Sequence, residues 1–176
     1  MADRLTKVMT VNYPSRMRQI PTACGVVHSY LSGGTSEVTE FKALWDTGAD
    51  GSVVSNSVVA ALGLMPDGKI PVYHADGMSI VNVYTVDLRL PSGVVFRKLK
   101  VTSGDLKDTD VLIGMDVISM GDFAVTARNG CTKFSFQIPS THDIDFSLDW
   151  RLRGDELGRE SGDHTQGVCD TLGGLL

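Results

Sequence analysis

The longest alternating run in the chain, SIVNVYTVDLRL at residues 79–90, sets Ile80, Tyr84, Val86, Leu88 and Leu90 on one face. Ser79, Thr85, Asp87 and Arg89 fall on the other. A period of two is the signature of a strand with one buried side. The PSG that follows turns the chain into VVFRKLKVT at 94–102, so the two runs predict a long hairpin. Two strands alone cannot shelter an apolar face from water, and the remaining sequence must supply what covers them.

Further strand patterns are present. GVVHSYL and EVTEFKALW flank the turn-rich SGGTS and predict a second hairpin. DFAVTA and CTKFSFQI flank RNG and predict a third, with Asn129-Gly130 supplying the turn. DVLIGM is short and wholly apolar, the pattern of a strand covered on both faces. SNSVVAAL predicts a helix capped by Ser55 or Asn56 and stopped by Gly63, and a second helical turn is expected at MDVISM after Gly114. Many short strands with one helix or two predict an all-β fold, a small barrel or sandwich. At 42% hydrophobic, 176 residues are enough for one domain with a real core.

Charge divides the chain into three. Up to residue 19 it carries Arg4, Lys7, Arg16 and Arg18 against Asp3, a basic N-terminal segment. Residues 20–140 hold the predicted strands. From 141 to 176 eight acidic residues face three arginines, a difference equal to the whole net charge of −5. With several glycines and little periodicity, that acidic tail is expected to be loose beyond about Gly154. An acidic chain lacks the basic face that nucleic acid requires. No apolar run is long enough to span a bilayer and no signal-like apolar segment opens the chain, so neither nucleic acid nor membrane is an expected partner. Cys24, Cys131 and Cys169 form no C-x-x-C pair and no zinc spacing with the four histidines. They read as thiols of a cytoplasmic protein without structural disulfides, and neither a metal nor any other cofactor is expected.

The stretch LWDTGAD at 44–50 brings an ionised carboxylate out of an apolar strand onto a tight turn. As a calcium loop, DTGADGSVVSNS places Asp46, Asp50 and Gly51 suitably. Gly48 and Ser57, however, stand where oxygen ligands belong. As a phosphate loop it resembles the D-x-G-x-x-x-S turn of actin-like ATPases, which need two large α/β domains. As a plain surface turn, Asp and Thr would bond their own backbone. The context argues otherwise: Leu44 and Trp45 precede the Asp, and SVVS returns to an apolar strand.

The second motif, DVLIGMDVIS at 110–119, decides between these readings. With Asp46-Thr47-Gly48-Ala49 followed 68 residues later by Leu112-Ile113-Gly114, residues 20–140 resemble the retropepsin-like aspartic proteases. The L-[IL]-G-M-D form is closer to retrotransposon and cellular members than to viral ones. The resemblance implies a small closed barrel-like lobe that works as a homodimer. It implies an endopeptidase in which two Asp46 carboxylates, one from each chain, activate water to hydrolyse a peptide or protein substrate. Thr47 would brace the two turns and Gly48 would admit substrate. Ala49, Asp50, Gly77, Met78 and Ile113 would lie along the bound chain. A flap is expected around VYHADGMSIVNVY. There His74 and Asp76 read as substrate contacts or solvated turn residues, and Met78 and Ile80 as pocket lining or hairpin packing. In the viral enzymes an Arg follows the glycine and pairs with the acidic residue four places beyond the catalytic Asp. Here Asp50 is present, but Met115 and Asp116 follow Gly114. Viral dimers also interleave their chain ends, a role CTKFSFQI would fill. The alternative is a non-catalytic dimerisation or peptide-binding module with the same fold.

Overall fold

The computed structural model describes residues 6–28, 38–74 and 77–146. The SGGTS turn, Ala75-Asp76 and the acidic tail past Phe146 lie outside these residues. Ten strands and two short helices follow in order: β1 (Lys7–Tyr13), β2 (Ile20–His28), β3 (Thr39–Trp45), β4 (Val53–Ser55), α1 (Asn56–Ala61), β5 (Gly68–His74), β6 (Gly77–Arg89), β7 (Val95–Gly104), β8 (Val111–Ile113), α2 (Met115–Ile118), β9 (Asp122–Thr126) and β10 (Thr132–Ile138). The fold is all-β, as expected, and the three hairpins are β2–β3, β6–β7 and β9–β10.

Seven strands form one sheet in the order β2-β3-β8-β4-β7-β6-β5. An additional pairing of β2 with β6, from Gly25↔Arg89 to His28↔Val86, joins its ends into a ring of six, with β5 extending beyond β6. Closure leaves no open edge at that seam and gives the long β6 two partners. Within the ring β3 and β4 are not neighbours. The short β8 lies between them, parallel to β3 and antiparallel to β4. With strands about 4.8 Å apart, the turn joining β3 to β4 must therefore arch roughly 10 Å over the end of β8. That turn is residues 46–52.

A second sheet of three strands, β1-β10-β9, packs beside the barrel. Residues 7–13, read from the sequence only as part of a basic segment, pair with β10 along its full length, Lys7↔Ile138 to Tyr13↔Thr132. Because β10 also pairs with β9, both of its edges are used within the chain. Within this chain, β10 therefore presents no unpaired edge. Period two explains the packing: Thr132, Phe134 and Phe136 point inward and are buried, while Lys133 is exposed.

The two sheets meet at Trp45, whose ring lies 5.0 Å from Phe134, 4.9 Å from Phe136 and 5.9 Å from Phe123, centroid to centroid. Tilted aromatic contacts of this kind add to the gain from burial itself. The indole N–H donates to Thr22 Oγ1 at 3.0 Å, so no polar atom of the ring is stranded.

Local signals account for the ends of elements. Ser55 caps α1, its hydroxyl accepting from Val58 N at 3.3 Å, and Gly63 at φ +58° ends the run. Asn129 and Gly130 both hold positive φ, 53° and 78°, the geometry of the tight hairpin turn that Asn-Gly favours. In the β6–β7 ladder the register shifts between Val86 and Leu88. The fully buried Asp87 stands at that shift and accepts from Lys98 N at 2.9 Å, which satisfies an amide at Lys98, where φ is +54°. Cys24 is a free buried thiol. No helix among the described residues is long and apolar enough to cross a membrane.

Candidate active site

Trp45 anchors one end of the 46–52 turn in the aromatic cluster, and the chain leaves it directly into Asp46. Asp46 is half-buried, Thr47 and Gly48 are exposed, Ala49 is half-buried and Asp50 is exposed. The Asp46 amide donates to the Ile113 carbonyl at 2.9 Å, continuing the β3–β8 pairing one step past the strand. Its carboxylate Oδ1 accepts from Gly48 N at 2.8 Å. A Cβ on Gly48 would stand only 3.2 Å from that oxygen, so glycine is the residue that lets the backbone fold over the carboxylate without crowding it.

The rest of the turn is held from the far side of β8. Met115 N donates to the Ala49 carbonyl at 2.8 Å and Asp116 N to the Asp50 carbonyl at 3.1 Å. Ser52 is buried, and its carbonyl accepts from Thr102 N at 3.2 Å. Gly114 makes this approach possible. A Cβ there would lie 2.7 Å from the Gly51 carbonyl carbon and oxygen and 2.9 Å from the Ala49 oxygen, closer than unbonded atoms tolerate. The Leu112-Ile113-Gly114 motif thus has a steric cause: the strand supplies Ile113 to Asp46, and the glycine lets the turn pass.

Of the residues the sequence singled out, the structure brings Asp46, Thr47, Gly48, Ala49 and Asp50 together on this turn, with Ile113 beneath. Ile113 is fully buried, and its carbonyl is what meets Asp46. Gly77 and Met78 belong to the β5–β6 hairpin, paired Tyr73↔Met78 and His74↔Gly77. Gly77 has φ +127°, a conformation reserved for glycine. Tyr73, Met78 and Ile80 project from this hairpin at 80%, 55% and 68% exposure. Beside Asp46 and Thr47 a cleft of about 340 Å³ opens between Arg18, Ile20, Phe123 and Val125. No group of three or more His, Cys, Asp or Glu side chains gathers as a metal site among the described residues.

Ser52 and Asp116 were not recognised from sequence as parts of the site. The Asp116 carboxylate accepts from both the amide and the hydroxyl of Ser52, at 3.0 and 2.7 Å. Their signal was faint: a serine six places beyond Asp46, and an aspartate two places beyond Gly114, just after the Met115 that stands where viral members carry arginine.

A half-buried carboxylate on a turn tied by several backbone bonds, beside an open cleft, is an arrangement suited to acid–base chemistry. The family comparison agrees. The sequence model described as "gag-polyprotein putative aspartyl protease" matches residues 33–120, half of the chain, and the chain belongs to this family of retropepsin-like aspartic proteases. Among solved structures it is similar to a retropepsin-like aspartic protease from Rickettsia conorii, at 14% identity, 78% of this chain, 98% of that one and a TM-score of 0.47. It is also similar to the EIAV protease solved with the inhibitor HBY-793, at 19% identity, 58% and 86% coverage and a TM-score of 0.44. A third likeness is to the retroviral protease-like domain of Ddi1 from Leishmania major, at 14% identity, 69% and 92% coverage and a TM-score of 0.41. Comparison with curated protein sequences gives no match.

Proposed function

We propose that this chain is an aspartic endopeptidase that works as a homodimer, hydrolysing peptide bonds with water activated between Asp46 and its copy. The observation that carries the reading is the single Asp46-Thr47-Gly48 turn, held by backbone bonds to Ile113, Met115 and Asp116, with Asp46 and Thr47 lining an open cleft. Metal-free peptide hydrolysis requires one group to take a proton from water and another to give one to the leaving amine. Two carboxylates in contact cannot both stay ionised, so one of the pair is base and the other acid, and they titrate as a unit. The aspartic protease dyad is a standard example of this principle. One such carboxylate per chain makes a second copy necessary, related by a two-fold axis that sets like against like.

In this reading Thr47 braces the two turns, Gly48 and Ala49 receive the substrate backbone, and Asp50 binds at the rim. Gly77 and Met78 belong to a flap that closes over the peptide. Ile113 contributes from beneath, as the support of Asp46.

The test is cleavage of a peptide library near pH 4 to 6 by the native chain and by Asp46→Asn, with oligomeric state measured by sedimentation. Native protein is expected to sediment as a dimer and to give pepstatin-sensitive cuts. The variant should remain dimeric and lose at least about a thousandfold in rate, within the range that acid–base groups contribute. Pepstatin-sensitive cleavage by a strict monomer, or full activity in the variant, would sink the proposal. A folded dimer that cleaves nothing would leave the non-catalytic module as the function.

A further inference from the structure

The end of the catalytic turn is fixed by one side chain. Asp116, in the first turn of α2, sends its carboxylate back to Ser52: Oδ2 accepts from Ser52 N at 3.0 Å and Oδ1 from Ser52 Oγ at 2.7 Å. The same hydroxyl accepts from Gly114 N at 3.1 Å. Ser52 is only 2% exposed, so the bonds made by its hydroxyl and amide are not exchanged freely with water and their loss would strand buried polar groups. Together with Met115 N on Ala49 O and Asp116 N on Asp50 O, the first residues past β8 grip the turn at three successive points. Asp116 is the one that does so with a side chain.

We propose that Asp116 is the positioning residue of this site, setting the height and tilt of the 46–52 turn through Ser52 and thereby the placement of the Asp46 carboxylate. The inference rests on the reading of Asp46 as a catalytic group. It follows from the path of the chain. The turn leaves β3 anchored at Trp45 and must reach β4 on the far side of β8, a wide span with little regular pairing of its own. An arch pinned at one foot tilts, whereas one pinned at both feet holds its apex. Asp46 N on Ile113 O pins the first foot and Asp116 on Ser52 pins the second. The bonds of the Asp116 carboxylate to Ser52 run within one chain.

Hydrogen bonding, rather than charge, is the operative property, and this makes the proposal separable from a general loss of stability. Asparagine at 116 retains an oxygen to accept from Ser52 N and an amide to donate to Ser52 Oγ, whereas alanine retains neither. With the reaction followed on a peptide the native chain cleaves, Asp116→Ala is expected to lower kcat about 10- to 100-fold, the scale of an ångström misplacement. KM should change less than about threefold. The width of its bell-shaped pH profile should change, because two carboxylates interact according to their separation. Asp116→Asn should restore kcat to within about threefold of native and recover the native profile width. Should Asp116→Ala fail to fold, Ser52→Ala serves in its place, removing only the hydroxyl. Its expected loss in kcat is about three- to tenfold, with a similar change in profile width. A folded Asp116→Ala, or in its stead Ser52→Ala, with native kcat and native profile overturns the assignment. So does Asp116→Asn if it is as impaired as alanine, since the role would then be one of charge. A native chain that cleaves no peptide would instead bring down the reading of Asp46, a result distinct from either.

Discussion

The 46–52 turn and the paired strands of the β5–β6 hairpin reach order by opposite means. The turn has almost no regular secondary structure, yet its amide at Asp46, its carbonyls at Ala49 and Asp50, and the whole of Ser52 are bonded to residues distant in sequence. The hairpin is regular, paired from Gly68↔Val83 to His74↔Gly77, yet Ile70, Tyr73, Met78 and Ile80 are largely exposed. Regularity and rigidity are thus separate properties. A segment resists opening when its bonds are buried and tied to several neighbours, and opens readily when its contacts are few and wet. A group that must be held to a fraction of an ångström belongs on the first kind of segment. A cover that must move aside belongs on the second.

The largest effect expected from testing this contrast comes from Gly114→Ala. A methyl 2.7 Å from the Gly51 backbone has no flexible side chain to displace, so the arch or α2 must shift. About 3 kcal/mol of stability should be lost, the upper part of the usual range for overpacking, seen as a lower urea midpoint with an unchanged slope. An unchanged midpoint would show that the turn yields as easily as the hairpin, and the contrast would fail.

Ile80→Ser should do the reverse. Its side chain is 68% exposed, so stability should stay within about 0.5 kcal/mol of native. If the hairpin closes over substrate, kcat/KM should fall about tenfold from lost apolar contact. Equal kcat/KM in native and variant enzymes would remove Ile80 from the flap.

The smallest effect concerns Cys24, buried in β2 opposite Phe41. Burial, with the nearby charges of Asp110 and Glu40, pushes its thiol up from 9.0 to about 12. Native protein should leave Cys24 unmodified by a thiol reagent at pH 8, because the thiolate is the reactive form, and labelling should appear only on unfolding. The folded thiol holds its proton more tightly than the unfolded one. Its contribution to stability is therefore complete below pH 9 and declines as pH rises from 9 toward 12. Rapid labelling of Cys24 in the native state would show that the barrel wall opens readily despite its burial.

Much was legible in the residues alone. Alternation in 79–90 and the PSG turn fixed β6 and β7 as a hairpin, and Asn129-Gly130 did the same for β9 and β10, because period and turn chemistry act over a few neighbours. Asp46-Thr47-Gly48 and Ile113-Gly114 marked the site. Less visible was β1, KVMTVNY, where Met9, Val11 and Tyr13 alternate within a segment dominated by basic residues.

What tertiary structure decided is which strands become neighbours. Nothing within LWDTGAD or DVLIGMD states that β8 slides between β3 and β4, or that β2 closes the barrel on β6. A three-residue strand is compatible with many partners, and its place is selected by burial of the assembled core. Once β8 is there, the turn must arch over it, Gly114 must lack a side chain, and Asp116 meets Ser52 across 64 residues of sequence. Local chemistry determined the parts and the candidate carboxylate, Asp46. Long-range packing determined where that group is held.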